Sequence, residues 1–90
     1  YALMQNHPNP FNPSTTISFD LPAKAKVSLK VYDVAGRLIR TLTDGEWDAG
    51  RHSIAWDGRN ESGSIVASGV YFYRLESKDF RSTKKMVLLR

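Results

Sequence analysis

Lys26-Val27-Ser28-Leu29-Lys30-Val31-Tyr32-Asp33-Val34-Ala35-Gly36-Arg37 admits two readings, and the choice between them sets the fold class. With a period of two, Val27, Leu29 and Val31 fall on one face of a strand. With a period of 3.6, Val31, Val34, Ala35, Leu38 and Leu42 line one side of a helix. Gly36 in the middle of that helix and β-branched residues around it weigh against the second reading, because both lower helix propensity. Asp33 starts turns through its side chain, and Gly36 takes the left-handed position that closes a bulged loop. The stretch is therefore read as a strand, a tight hairpin at Asp33 to Arg37, and a returning strand from Arg37 to Thr43.

The same alternation extends in both directions. Upstream, Thr15 to Leu21 places Ile17, Phe19 and Leu21 on one face, and Pro22 ends the run. Downstream, Asp44-Gly45 and Ala49-Gly50 read as turns on either side of Trp47, and His52 to Trp56 as a strand with His52, Ile54 and Trp56 facing one way. A loop from Asp57 to Gly63 precedes a short expected strand, Ile65-Val66-Ala67. Ser68-Gly69 then leads into Val70 to Glu76, and Arg81 to Leu89 closes the sheet. Seven strands separated by turn residues and no helix predict an all-β antiparallel sandwich.

Three of the four prolines lie in Pro8-Asn9-Pro10-Phe11-Asn12-Pro13. Each ring fixes its own φ and extends the residue before it, so residues 1–13 are expected as a stiff Pro-rich linker or strap. Phe11 is its one large apolar side chain in that run and is expected to pin the strap to the body, which spans 14–90.

With 90 residues, 41% of them hydrophobic, the chain has room for one core and none for a second domain. Cys is absent, so stability rests on packing without disulfides. Met86 to Leu89 is the longest apolar run, too short to span a membrane as a helix. The start at Tyr1 reads as a piece cut from a longer chain. Residues 78–90 hold five basic groups and one acidic, while residues 1–77 hold eight of each, so the net charge of +4 sits at the C-terminal end. A nucleic-acid groove gathers cations from several elements and interleaves aromatic rings; here Phe80 is the one ring among them, and nucleic acid is not an expected partner.

Chemistry is sparse. Of the two histidines, His7 lies in the strap and His52 on an alternating strand, and neither has a nucleophile and an orienting acid in view. Asp44, Glu46 and Asp48 lie on one short segment and read as a solvated turn. The domain is read as non-enzymatic, with no cofactor. The loop residues Asp57, Asn60, Glu61 and Ser62 offer the oxygen donors that Ca²⁺ prefers, against which stand Arg59 in the same loop and the simpler role of Asp57 and Asn60 in Asx turns. Asn60-Glu61-Ser62 also fits the N-glycosylation pattern. Trp47, Trp56, Tyr32, Tyr71 and Tyr73 would suit sugar stacking if exposed in line, but alternation assigns Trp56, Tyr71 and Tyr73 to the core and leaves Trp47 unexplained.

Four blocks taken in order carry a resemblance: Pro8 to Pro13, Val31 to Leu38, Ser68 to Leu75, and Lys85 to Arg90. Together they resemble the C-terminal sorting domains (type A) of type IX secretion substrates. Trp56-Asp57-Gly58-Arg59-Asn60 with Gly63 also resembles the immunoglobulin-like domain of the flagellar hook-capping protein, a related sandwich. The resemblance implies an immunoglobulin-like sorting domain at the C-terminus of an exported protein with a catalytic or adhesive parent domain. It implies an outer-membrane translocon and a sortase-like peptidase as partners, passage through the periplasm of a Gram-negative bacterium, and a secreted or surface location without membrane insertion. Lys84, Lys85 and Arg90 would match the sorting signal, while Asp33, Gly36 and Gly69 are structural turn residues. Edge protection by lysine is a compatible role for the basic end. A carbohydrate-binding or structural immunoglobulin-like accessory module, including a hook-capping type, is the alternative.

Overall fold

The computed structural model describes all 90 residues, which form seven strands and no helix. The strands are β1 (Ala2–Leu3), β2 (Thr15–Leu21), β3 (Ala25–Tyr32), β4 (Leu38–Trp47), β5 (Gly50–Trp56), β6 (Gly69–Ser77) and β7 (Phe80–Leu88). They pair antiparallel into a three-stranded sheet, β1-β2-β5, and a four-stranded sheet, β4-β3-β6-β7. Period-two alternation then drives each inner face toward the other sheet. Ile17, Phe19 and Leu21 of β2 meet Val27, Leu29 and Val31 of β3, Tyr71, Tyr73 and Leu75 of β6, and Met86 and Leu88 of β7.

The hairpin reading of the deciding stretch holds. Asp33 N–H donates to Arg37 O at 3.0 Å and Gly36 N–H to Asp33 O at 3.0 Å, with Gly36 at φ +83°. The Asp33 carboxylate accepts from the Ala35 and Arg37 N–H groups at 2.9 Å each and from Arg37 Nε at 3.0 Å.

Three expectations are corrected. Asp44-Gly45 is not a turn: β4 runs through it to Trp47, because Ser28, Val27, Lys26 and Ala25 continue the ladder opposite it. The reversal comes later, at Asp48-Ala49, before Gly50 at φ +119°. Ile65-Val66-Ala67 is not a strand; it contributes one isolated bridge, Arg59 to Ile65, inside a loop held by other bonds. The seventh strand is instead β1, two residues paired with Asp20 and Phe19 of β2.

The strap is part of the sandwich. Phe11 is buried and lies 5.7 Å from the Trp56 ring. Its N–H donates to Val87 O and its carbonyl accepts from Leu89 N–H, both at 3.0 Å, so the Pro-rich segment runs along the outer edge of β7. Leu3 and Asn6 are buried as well. Tyr73 ties this segment to the four-stranded sheet: its hydroxyl donates to Met4 O and accepts from Asn6 N–H, each at 2.8 Å.

Candidate functional site

The basic C-terminal end was the strongest candidate from sequence, and alternation along β7 divides it. Lys84 stands opposite Tyr73, on the inward side with Met86 and Leu88, and is half-buried. Lys85 stands opposite Phe72 on the outer face and is exposed. An inward-aimed lysine on an edge strand opposes pairing with a foreign strand, because its charge would have to be buried. The far half of the same edge is covered by the strap, where Val87 N–H donates to Asn9 Oδ1 at 3.0 Å and Gln5 Nε2 donates to Lys85 O at 2.8 Å.

Arg90 does something else. Its Nε donates to Val66 O at 2.8 Å, its Nη2 to Gly58 O at 2.7 Å, and its N–H to Ser68 Oγ at 2.9 Å. One side chain thus clamps both limbs of the loop between β5 and β6. Gly58 sits under that clamp at φ +72°, where a Cβ would lie 2.7 Å from Arg90 Nη2 and 3.1 Å from Pro13 O. Nothing in the local sequence pairs residue 90 with residue 58, so this contact could not be read in advance.

The clamped loop lies against β4. Glu61 N–H donates to Ile39 O at 3.1 Å and Glu61 Oε1 accepts from Thr41 N–H at 2.7 Å, so Glu61 occupies backbone groups on the free edge of β4. Asp57 Oδ1 accepts from Arg40 Nη1 and from Arg59 N–H, both at 3.2 Å. Asn60 Oδ1 accepts from the N–H groups of Ser62 and Ser64 and from Ser62 Oγ, an Asx arrangement. The three candidate metal ligands Asp57, Asn60 and Glu61 therefore serve separate partners, and no three acidic or histidine side chains converge. Gly69 opens β6 opposite Leu88.

The aromatic residues divide in the same way. Trp56 and Tyr73 are fully buried and Tyr71 nearly so; Trp56 Nε1 donates to Arg59 O at 2.9 Å and the Tyr71 hydroxyl to Ala67 O at 2.7 Å. Burial pushes the Tyr71 hydroxyl pKa up and that of Tyr73 up to about 12. Trp47, unexplained by sequence, is half-buried at the end of β4, 5.7 Å from Phe19 and 4.8 Å from His52. His52 is held there, with Nε2 2.7 Å from Asp48 O. The hairpin carboxylate of Asp33 is kept below its ordinary pKa, first by the Arg37 N–H and then by the Arg37 guanidinium and the Ala35 N–H.

A sandwich of three and four antiparallel strands, closed by its own N-terminal segment and clamped by its last residue, is an immunoglobulin-like module. The chain belongs to the FlgD Ig-like domain family, whose model matches residues 6–79. It is 44% identical over 46 residues to the basal-body rod modification protein FlgD of Salmonella typhimurium, covering 51% of this chain and 20% of that protein. With the E. coli protein of the same name it is 41% identical over 49 residues, covering 54% and 21%. The matches thus span about a fifth of the length of these curated relatives. Among solved structures, dimeric latent PorU from Porphyromonas gingivalis is similar over 97% of this chain and 9% of its own, with TM-score 0.75 and 23% identity. PorZ of the same organism, a surface component of the type-IX secretion system, is similar over 96% of this chain and 11% of its own, with TM-score 0.66 and 24% identity. FlgD from P. aeruginosa is similar over 82% of this chain and 58% of its own, with TM-score 0.64 and 28% identity.

Proposed function

We propose that this immunoglobulin-like accessory module is the C-terminal sorting domain of an exported protein, non-catalytic itself and read by a type IX translocon at the outer membrane. The observation that carries the reading is spatial. The four sequence blocks that resemble a sorting domain are separated along the chain yet pack into one unit: Phe11 bridges to Leu88, Val31 pairs with Tyr73, and Tyr71 pairs with Met86. The family match ends at residue 79, one residue before β7, whereas the likeness to PorU extends over nearly the whole chain. In this reading the last strand, β7, carries the sorting signal. Its exposed outer face, with Lys85, is the surface offered to the exporter, and a sortase-like peptidase would act on the chain preceding the strap.

The test is a secreted reporter carrying residues 1–90 at its C-terminus, expressed in a type IX-competent host. Surface display of the reporter, and its loss in a host lacking the translocon, is the expected result. Retention of a folded fusion in the periplasm would remove the sorting role and leave a structural module of the hook-capping kind, the reading that the FlgD identity favours.

A further inference from the structure

The outer face of the four-stranded sheet carries a group of side chains that neither the core nor the strap uses. Cross-strand pairing places Lys30 beside Arg74 and Tyr32 beside Phe72, with Thr83 next to Arg74 and Lys85 next to Phe72 on β7. Neighbouring strands lie about 4.8 Å apart, so these six side chains share one compact patch. Arg74 lies over the Tyr32 ring, its Cζ 4.8 Å from the centroid. Its guanidinium has five donors, yet it makes no hydrogen bond and has one loose ion pair, Nη1 to Glu76 at 3.5 Å. Glu76 is shared with Arg81 at 3.2 Å, so Arg74 has no carboxylate of its own. Tyr32, Phe72, Arg74 and Thr83 line a shallow depression of about 230 Å³ beside the Asp33 to Gly36 turn. Asp33 also borders it, but its carboxylate is already turned to the Ala35 and Arg37 donors.

The geometry points to a binding site for an acidic polysaccharide on this face, with the depression receiving one uronate ring. Arg74 and Lys30 would hold its carboxylate, Thr83 a ring hydroxyl, and Phe72 the apolar face of the sugar, while Lys85 meets a neighbouring residue of the polymer. Strands β3 and β6 are paired on both sides, so an extended peptide cannot bind here by backbone addition. A single-stranded nucleic acid needs a series of free rings for successive bases, and with Arg74 over Tyr32 this patch offers Phe72 alone. A polymer of carboxylates and hydroxyls, recognised by side chains alone, is what remains. This site does not depend on the export route proposed above.

Affinity electrophoresis of the purified domain in gels containing polygalacturonate, with dextran gels as the neutral reference, tests it. Retardation by polygalacturonate alone is expected, weakening as salt screens the charges. Lys30→Gln and Lys85→Gln should each weaken binding by about fivefold or more, and Phe72→Ala by a similar factor without a change in charge. Arg51→Gln, which removes the same charge from β5 of the three-stranded sheet, should leave retardation near that of the parent domain. Circular dichroism confirms that each variant is folded. The proposal is overturned if the folded domain migrates unretarded, or if Arg51→Gln weakens binding as much as Lys30→Gln. Equal or tighter binding of polyglutamate or oligo-dT would also overturn it, reassigning the face to acidic peptide or nucleic acid.

Discussion

Tyr73 joins two parts of the chain through a single oxygen. Replacing it with Phe leaves the buried Asn6 N–H without its acceptor and the half-buried Met4 O without its donor. A cost of about 1–3 kcal/mol is expected in chemical denaturation, the range for orphaning a buried polar group. The same hydroxyl sets an alkaline limit. Its folded pKa, about 12, lies above the ordinary 10.0, so the unfolded chain releases the proton first. The contribution of Tyr73 is complete below pH 10.0 and is lost as the pH rises toward about 12. A melting temperature that falls across this interval, and falls less in Tyr73→Phe, is the expected outcome. Gly36 is limited by backbone alone, since a Cβ there would meet nothing within 4 Å and φ is +83°. Gly36→Val should cost about 1–3 kcal/mol of stability, and an unchanged melting temperature would contradict the turn described here.

At the scale of elements, the loop between β5 and β6 and the strap are each held by a few identifiable groups. Arg90→Gln removes the guanidinium bonds to Gly58 O and Val66 O while leaving the strand ladders intact. Hydrogen exchange should therefore quicken in residues 57–68 and remain slow in β3 and β6. Phe11→Ala should cost about 3–5 kcal/mol, as for other buried aromatic truncations, and release the strap from β7. The long alternating elements β2, β3, β6 and β7 were legible because strict alternation has one structural meaning when both sheets bury a face. The hairpin was legible because Asp33 and Gly36 are required by its local geometry. Asp44-Gly45 misled because its turn preference is local, whereas Ser28 and Val27 pair with it and Lys26 and Ala25 hold β4 extended beyond it. The loop was misread for the opposite reason: its order comes from Arg90, Glu61 and Asn60 rather than from its own apolar triplet. The divided fate of Lys84, Lys85 and Arg90 was equally hidden, since adjacency in sequence on a strand means opposite faces in space.

Taken whole, the basic end separates an exposed charge, Lys85, from a structural one, Arg90. Lys85→Gln alters an exposed side chain on the outer face and should change stability by no more than about 0.5 kcal/mol. In the export assay it is the informative variant: loss of surface display with an unchanged melting temperature would assign Lys85 to recognition, and normal display would move recognition to another part of the sandwich. Arg90→Gln, by contrast, should loosen the loop whether or not export is affected.

The strap and β7 lie at opposite ends of the domain's sequence, and their bonds join residues as far apart as Gln5 and Lys85. Synthesis delivers one of them long before the other. At about 5–20 residues per second, roughly 4–16 s separate the emergence of Gln5 from that of Lys85. Until then Leu3 and Phe11 have no finished surface to cover, and a nascent domain remains open and accessible to a protease or a holding chaperone. Closure by β7 completes the sandwich: a chain stopped at residue 79 should give no cooperative thermal transition.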